Sequence, residues 1–120
     1  MTPLARHTLL ELHGCEASLL NEPESLKDIL LEAVRRGHGT IVTQVFHTFS
    51  PHGVSGVVVI AESHVAIHTW PEHGYAAVDI FSCGAKLDHA LTGDWIAAGL
   101  KAKEIERREF SRGTWPTFPA

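Results

Sequence analysis

The apolar positions of the chain change period several times, and each change marks an element. Residues 4–12 (LARHTLLEL) read as a first strand. Pro23-Glu24-Ser25 then opens a pattern of Leu26, Ile29, Leu30, Ala33 and Val34 at helical spacing, with Gly37 as its expected end. Thr40 to Phe49 is rich in β-branched residues and runs through the turn-forming Ser50-Pro51-His52-Gly53 into the apolar stretch Gly56 to Ala61, so this part reads as a hairpin. Val65 to Trp70 and Tyr75 to Phe81 are two further strands, separated by Pro71-Glu72-His73-Gly74. A second helix is expected within Leu87 to Leu100, although Gly93 and Gly99 weaken its propensity. Lys103 to Phe110 supplies a last strand, and Thr114 to Ala120, with two prolines, reads as an irregular extension.

The order β-α-β-β-β-β-α-β predicts an α+β two-layer sandwich, an antiparallel sheet with helices on one face. The run Val57, Val58, Val59, Ile60 is apolar on both sides of its strand, so the second face also needs cover. A second copy packed sheet to sheet against the first would supply it. No linker or internal repeat divides residues 1–120, which are expected to form one domain.

One join breaks the pattern. Ala61-Glu62-Ser63-His64 connects two strand-like runs without the Gly, Asn, Asp or Pro that tight hairpins usually require. Beyond it, alternation sends Val65 and Ile67 to one face and His64, Ala66, His68 and Trp70 to the other. Cys83 is expected just beyond the next strand, in Ser82-Cys83-Gly84. A serine at a strained turn has a chemical use. Its Oγ can attack the carbonyl of the preceding residue if donors hold that oxygen, and the ester so formed can eliminate to dehydroalanine, which hydrolyses to a pyruvoyl group and ammonia. A histidine suits the proton transfers near neutral pH. Most serines at turns do nothing of the kind, and an ordinary core reading, with His68 a satisfied histidine and Cys83 a small hydrophobe, stays open for each residue taken singly.

Composition removes several other functions. A formal charge of −4, with scattered Lys and Arg apart from Arg107-Arg108, provides no basic stripe for nucleic acid. There is no apolar run of about 18 residues and no signal-peptide pattern, so neither membrane insertion nor secretion is expected and the chain reads as cytoplasmic. Cys15 and Cys83 show no CxxC or metal-type spacing, which favours free thiols. Nine histidines invite a metal hypothesis, but His64 and His68 sit on a strand, where four residues span about 13 Å, too far for one zinc ion. No metal is expected.

The stretch GVSGVVVIAESHVAIHTWPEHGYAAVDIFSCG, residues 53–84, closely resembles the core of the short prokaryotic S-adenosylmethionine decarboxylases. RHTLLEL near the start, TIVTQVFHTFSPHGVSG before the core and LKAKEIE after it resemble that family too, so the likeness covers most of residues 4–109. It implies a proenzyme that cleaves itself before Ser63 into a β chain 1–62, ending at Glu62, and an α chain 63–120 whose first residue becomes a covalent pyruvoyl cofactor. By match to the family motif, Ser63 is the pyruvoyl precursor, His68 transfers protons in processing, Ser55 supports processing, and Cys83 is the catalytic proton donor. The implied reaction is Schiff-base formation with the amine of S-adenosylmethionine, loss of CO₂ and protonation of the former α-carbon by Cys83, yielding the aminopropyl donor for spermidine synthesis.

For the substrate, Phe49 resembles the family's adenine-stacking position, and Trp70 and Glu72 in TWPEHG are further binding candidates. Two positions depart from the family pattern: His52 stands where an aromatic is common, and Ala5 replaces a frequent glycine. The resemblance also implies a homodimer of αβ units in a four-layer αββα arrangement. Arginine or ornithine decarboxylation on the same fold remains an alternative, since a second cation would need a carboxylate such as Glu11, Glu72 or Asp79. An uncleaved regulatory subunit is the non-enzymatic alternative, although such a subunit has no chemical need for Ser55, Ser63, His68 and Cys83 together.

Overall fold

The computed structural model describes residues 3–114. Its elements are β1 (Ala5–His13), α1 (Ala17–Leu20), α2 (Pro23–Arg36), β2 (Ile41–Thr48), β3 (Val54–Ile60), β4 (Ser63–Trp70), β5 (Tyr75–Cys83), α3 (His89–Gly99) and β6 (Glu104–Arg112), with a short 3-10 turn at Pro71–His73. All six strands form one antiparallel sheet in the order β2-β3-β4-β5-β1-β6. The expected α+β class and element order hold, but β4 begins at Ser63 rather than Val65, leaving only Ala61 and Glu62 in the turn, and two further differences stand out. The short α1 has no apolar period to announce it, and β5 extends to include Cys83, placed in the sequence reading beyond the strand. Of the expected irregular tail, residues 115–120 lie outside the described part.

Local chemistry explains the helix limits. Pro23 occupies the first turn of α2, where its missing N–H costs nothing, and the Glu22 carboxylate accepts from the Glu24 N–H. The Asp88 side chain caps α3 by accepting from the Leu91 N–H at 2.9 Å. The two glycines that weakened the α3 pattern are points of close approach. A Cβ at Gly93 would stand 2.9 Å from Leu10 Cδ1, and one at Gly99 would stand 2.9 Å from Ile29 Cγ2. Tertiary packing therefore outweighs the lost propensity.

Both long helices cover one sheet face. Leu10, Leu12, Val58, Ile60, Val65, Ile67, Val78 and Ile80 are buried there against Leu26, Leu30, Val34, Ile96 and Leu100. Truncating a fully buried member such as Ile67 to alanine removes about 2–5 kcal/mol. The opposite, open face carries a central row of Val45, Val57, Ala66, Asp79, Leu9 and Arg108. Val45 remains 65% exposed in the single chain and Val59, one row away, 38%, so this face still presents apolar surface.

A polar group is buried between the layers. His89, at the start of α3, is hydrogen-bonded through Nδ1 to Thr8 Oγ1 at 2.8 Å and through Nε2 to Ser82 Oγ at 2.5 Å, and all three residues are buried. Burial, reinforced by the Arg6 charge, holds the His89 pKa below its ordinary 6.5. The unfolded chain therefore binds this proton more readily, and the associated stability is complete above about pH 6.5 and lost as pH falls through the lower native value. Thermal midpoints measured from about pH 8 down to about pH 5 should show a steeper decline in the wild type than in His89→Gln; equal slopes would refute this assignment.

Candidate active site

Ala61 and Glu62 alone join β3 to β4, with Ile60 paired directly to Ser63. The absence of turn residues is met by strain: Glu62 adopts φ +59°, a left-handed conformation that disfavours a residue with a Cβ. The carbonyl oxygen of Glu62, at the bond preceding Ser63, accepts a hydrogen bond from the Cys83 N–H at 3.0 Å. The Ser63 hydroxyl donates to the Ala61 carbonyl at 3.3 Å. Glu62, Ser63 and Cys83 line a cavity of about 250 Å³ together with Gly39, Thr40 and Lys86, whose Nζ donates to Thr40 Oγ1 at 2.9 Å. A strained peptide, a neighbouring nucleophile and a fixed donor on its oxygen thus meet at one point, as an acyl shift requires.

Ser55 and His68 form a second cluster. They lie opposite each other on β3 and β4, with Ser55 Oγ 2.6 Å from His68 Nδ1. The adjoining cavity of about 320 Å³ is lined by Phe49, His52, Ser55, His68, Trp70 and Glu72. Phe49 and Trp70 are 49% and 40% exposed, so neither is ordinary core packing. His52 Nε2 stands 3.1 Å from Glu72 Oε2. Hydrogen bonding to its own backbone, and then to His52, holds the Glu72 carboxyl below its ordinary range.

The clusters are separate. Ser63 and His68 lie five residues apart on one strand, roughly 16 Å at 3.3 Å per residue. Their faces differ as well, since Ser63 shares its register row with buried Ile60 and Ser82, whereas His68 pairs with Ser55 on the open face. One chain brings Glu62, Ser63 and Cys83 together, and separately Ser55, His68, Phe49, Trp70 and Glu72.

A third cavity, of about 500 Å³, borders the second through Trp70 and includes Glu11, His13, Tyr75 and Glu106. Burial, then the hydrogen bond to Glu11, pushes the Tyr75 hydroxyl up to about 12. Of the other carboxylates considered for a second cation, Asp79 stands 3.9 Å from His7 Nε2. Among the described residues, no three His, Cys, Asp or Glu side chains converge on a possible metal position.

A sequence profile described as S-adenosylmethionine decarboxylase matches residues 6–113. The chain belongs to this family. Among curated relatives, the S-adenosylmethionine decarboxylase proenzyme of Pelotomaculum thermopropionicum is 47% identical over 116 residues, covering 97% of this chain and 92% of that protein. The proenzyme of Acetivibrio thermocellus is 45% identical over 115 residues, covering 96% and 93%. Among solved structures, the adenosylmethionine decarboxylase from Aquifex aeolicus matches with a TM-score of 0.90 at 33% identity, covering 100% of this chain and 99% of that one. These findings establish the family to which the sequence motifs pointed, and the fold with it.

Two features of this decarboxylase family member escaped the sequence reading. The Cys83 N–H on the Glu62 carbonyl and the His52–Glu72 pair both depend on how separate segments are brought together. In the sequence His52 stands out only as a departure from an aromatic. Its i, i+20 relation to Glu72 follows no periodic rule.

Proposed function

We propose that the protein is made as a proenzyme, cleaves itself between Glu62 and Ser63, and decarboxylates S-adenosylmethionine with the resulting pyruvoyl group as a homodimer of αβ units. The observation that carries this reading is the left-handed Glu62 followed by Ser63, with the Glu62 carbonyl held by the Cys83 N–H. Attack by Ser63 Oγ on that carbonyl carbon forms an ester as the peptide C–N bond breaks; loss of the Ser63 α-proton then expels the Glu62 carboxylate, the dehydroalanine left behind hydrolyses to pyruvoyl with release of ammonia, and the separated strands no longer need the strained turn. The residues therefore fit a pyruvoyl group generated at position 63.

A pyruvoyl group at position 63 would supply an electrophilic carbonyl for the substrate amine and an electron sink for decarboxylation. Cys83, in the same cavity, is the proton donor to the former α-carbon. Phe49 and Trp70 offer exposed aromatic faces to the adenine and the sulfonium, and Glu72 an acceptor to the ribose hydroxyls. The two free cysteines fit a reducing, cytoplasmic setting.

The separation of the two clusters supports a site shared between subunits. With open faces packed together about a two-fold axis running across the strands, the Ser55–His68 end of one protomer would lie over the Ser63–Cys83 end of its partner. Exposed Val45 and Val59 on that face favour this packing. Co-expression of Ser63→Ala with His68→Ala tests it directly. Ser63→Ala alone should neither process nor turn over and His68→Ala alone should do both poorly, whereas the mixed dimer should cleave the His68→Ala chain and recover part of the activity; no recovery from a demonstrated mixed dimer would place both clusters' functions within one chain.

Intact-mass spectrometry of the purified protein, with CO₂ release from S-adenosylmethionine, arginine and ornithine in parallel, tests the function as a whole. Two fragments split at Glu62–Ser63, the second blocked by pyruvoyl, and preference for S-adenosylmethionine are expected. A persistently single, inactive chain would favour a regulatory subunit, and preference for either amino acid would reassign the substrate.

A further inference from the structure

The Thr8–His89–Ser82 group is not used in the reactions described above, yet it ends directly beside the cleavage point. Ser82 is the β5 register partner of Ser63, and the next residue, Cys83, holds the Glu62 carbonyl. Directly opposed cross-strand residues have Cβ atoms about 4.5–5.5 Å apart, close enough for their hydroxyls to meet by side-chain rotation. Ser63 Oγ now donates to Ala61 O at a long 3.3 Å, pointing back along its own turn. Rotation toward β5 would bring it to the side on which the Glu62 carbonyl oxygen is held.

Ser82 is well suited to hold it there. Its Oγ is locked by His89 Nε2, and His89 is in turn locked by Thr8 Oγ1, all within the buried layer. With burial favouring neutral imidazole, one ring nitrogen donates and the other accepts, so the Ser82 hydroxyl retains hydrogen-bonding capacity toward Ser63 in either tautomer. Three buried polar side chains serve merely to tie α3 to the sheet less economically than apolar contacts would, because each must be desolvated. Their position beside Ser63 gives them another use.

We infer that Ser82, held by His89 and Thr8, positions Ser63 Oγ for attack on the Glu62 carbonyl. Neighbouring residues of β5 then hold the two reactants, Ser82 the nucleophile and the Cys83 N–H the carbonyl oxygen. The Oγ–C bond forms, the Glu62–Ser63 C–N bond breaks, and the hydroxyl proton ends on the Ser63 amine. Ser82 is a positioning residue, and its role rests on the self-cleavage proposed above.

The test follows cleavage of freshly synthesised full-length chain by intact mass over time, with and without hydroxylamine, which splits an ester at Ser63 but leaves the peptide intact. Ser82→Ala should cleave at least about tenfold more slowly, and hydroxylamine should not restore the rate because the ester is not reached. Should Ser82→Ala not fold, Thr8→Val, which keeps the side-chain shape but loses the hydroxyl, should be slowed and Thr8→Ser should recover. Wild-type rates in a folded Ser82→Ala or in Thr8→Val would overturn the inference, as would accumulation of a hydroxylamine-sensitive ester, which places the defect at elimination. If the wild-type chain itself never cleaves, the self-processing reading fails; wild-type cleavage with unaffected variants sinks only the positioning role.

Discussion

Ser63→Ala is expected to remain one uncleaved chain of 120 residues with no decarboxylase activity. Alanine has no oxygen to form the ester, so neither chain scission nor the carbonyl at position 63 can arise. On the proposed self-processing the loss should be complete, because the electron-accepting group would be made from this side chain. The fold should survive. Ser63 is only partly buried and its hydroxyl makes one long bond to Ala61, so removing that hydroxyl changes stability by about 0.5 kcal/mol or less. Intact mass and CO₂ release from S-adenosylmethionine read the two consequences separately. Normal two-chain processing in this variant would remove the pyruvoyl assignment altogether.

Cys83→Ala should separate processing from turnover. The hydrogen bond that holds the Glu62 carbonyl comes from the Cys83 main chain, which alanine retains, so cleavage should proceed at least in part. Decarboxylation should then fall by about 10²–10⁴-fold, the usual contribution of a positioned general acid. Cys83→Ser, with a proton but a weaker acid, should lie between the two. Single-turnover measurement on the cleaved fraction isolates the step, and an undiminished rate in Cys83→Ala would exclude the thiol as proton donor.

Much of this arrangement was legible without coordinates. Alternation along residues 64–70 assigned the faces of β4 as found, because a strand with one buried side has a fixed period of two. The α2 limits followed from Pro23 and Gly37, whose backbone constraints are local. Cys83 was placed beyond its strand because Ser82 and Gly84 resemble loop residues, whereas pairing with Ala5 keeps the strand going. Short α1 was missed for the complementary reason. Four residues make a single turn, held by contacts rather than by a repeating pattern.

The six strands, the two long helices, the two-layer class and the family were all legible in the chain before folding, since periodicity, turn preferences and motif spacing are properties of contiguous residues. How the candidate site residues are grouped emerges only when the chain folds. Folding separates Ser63 and Cys83 from Ser55 and His68, sets the Cys83 N–H on the Glu62 carbonyl, and joins Thr8 to His89 across 81 residues. Register sets this grouping. Strand pairing and helix docking are fixed by the summed burial of the whole core, and no local pattern specifies which distant polar groups that burial brings within hydrogen-bonding distance.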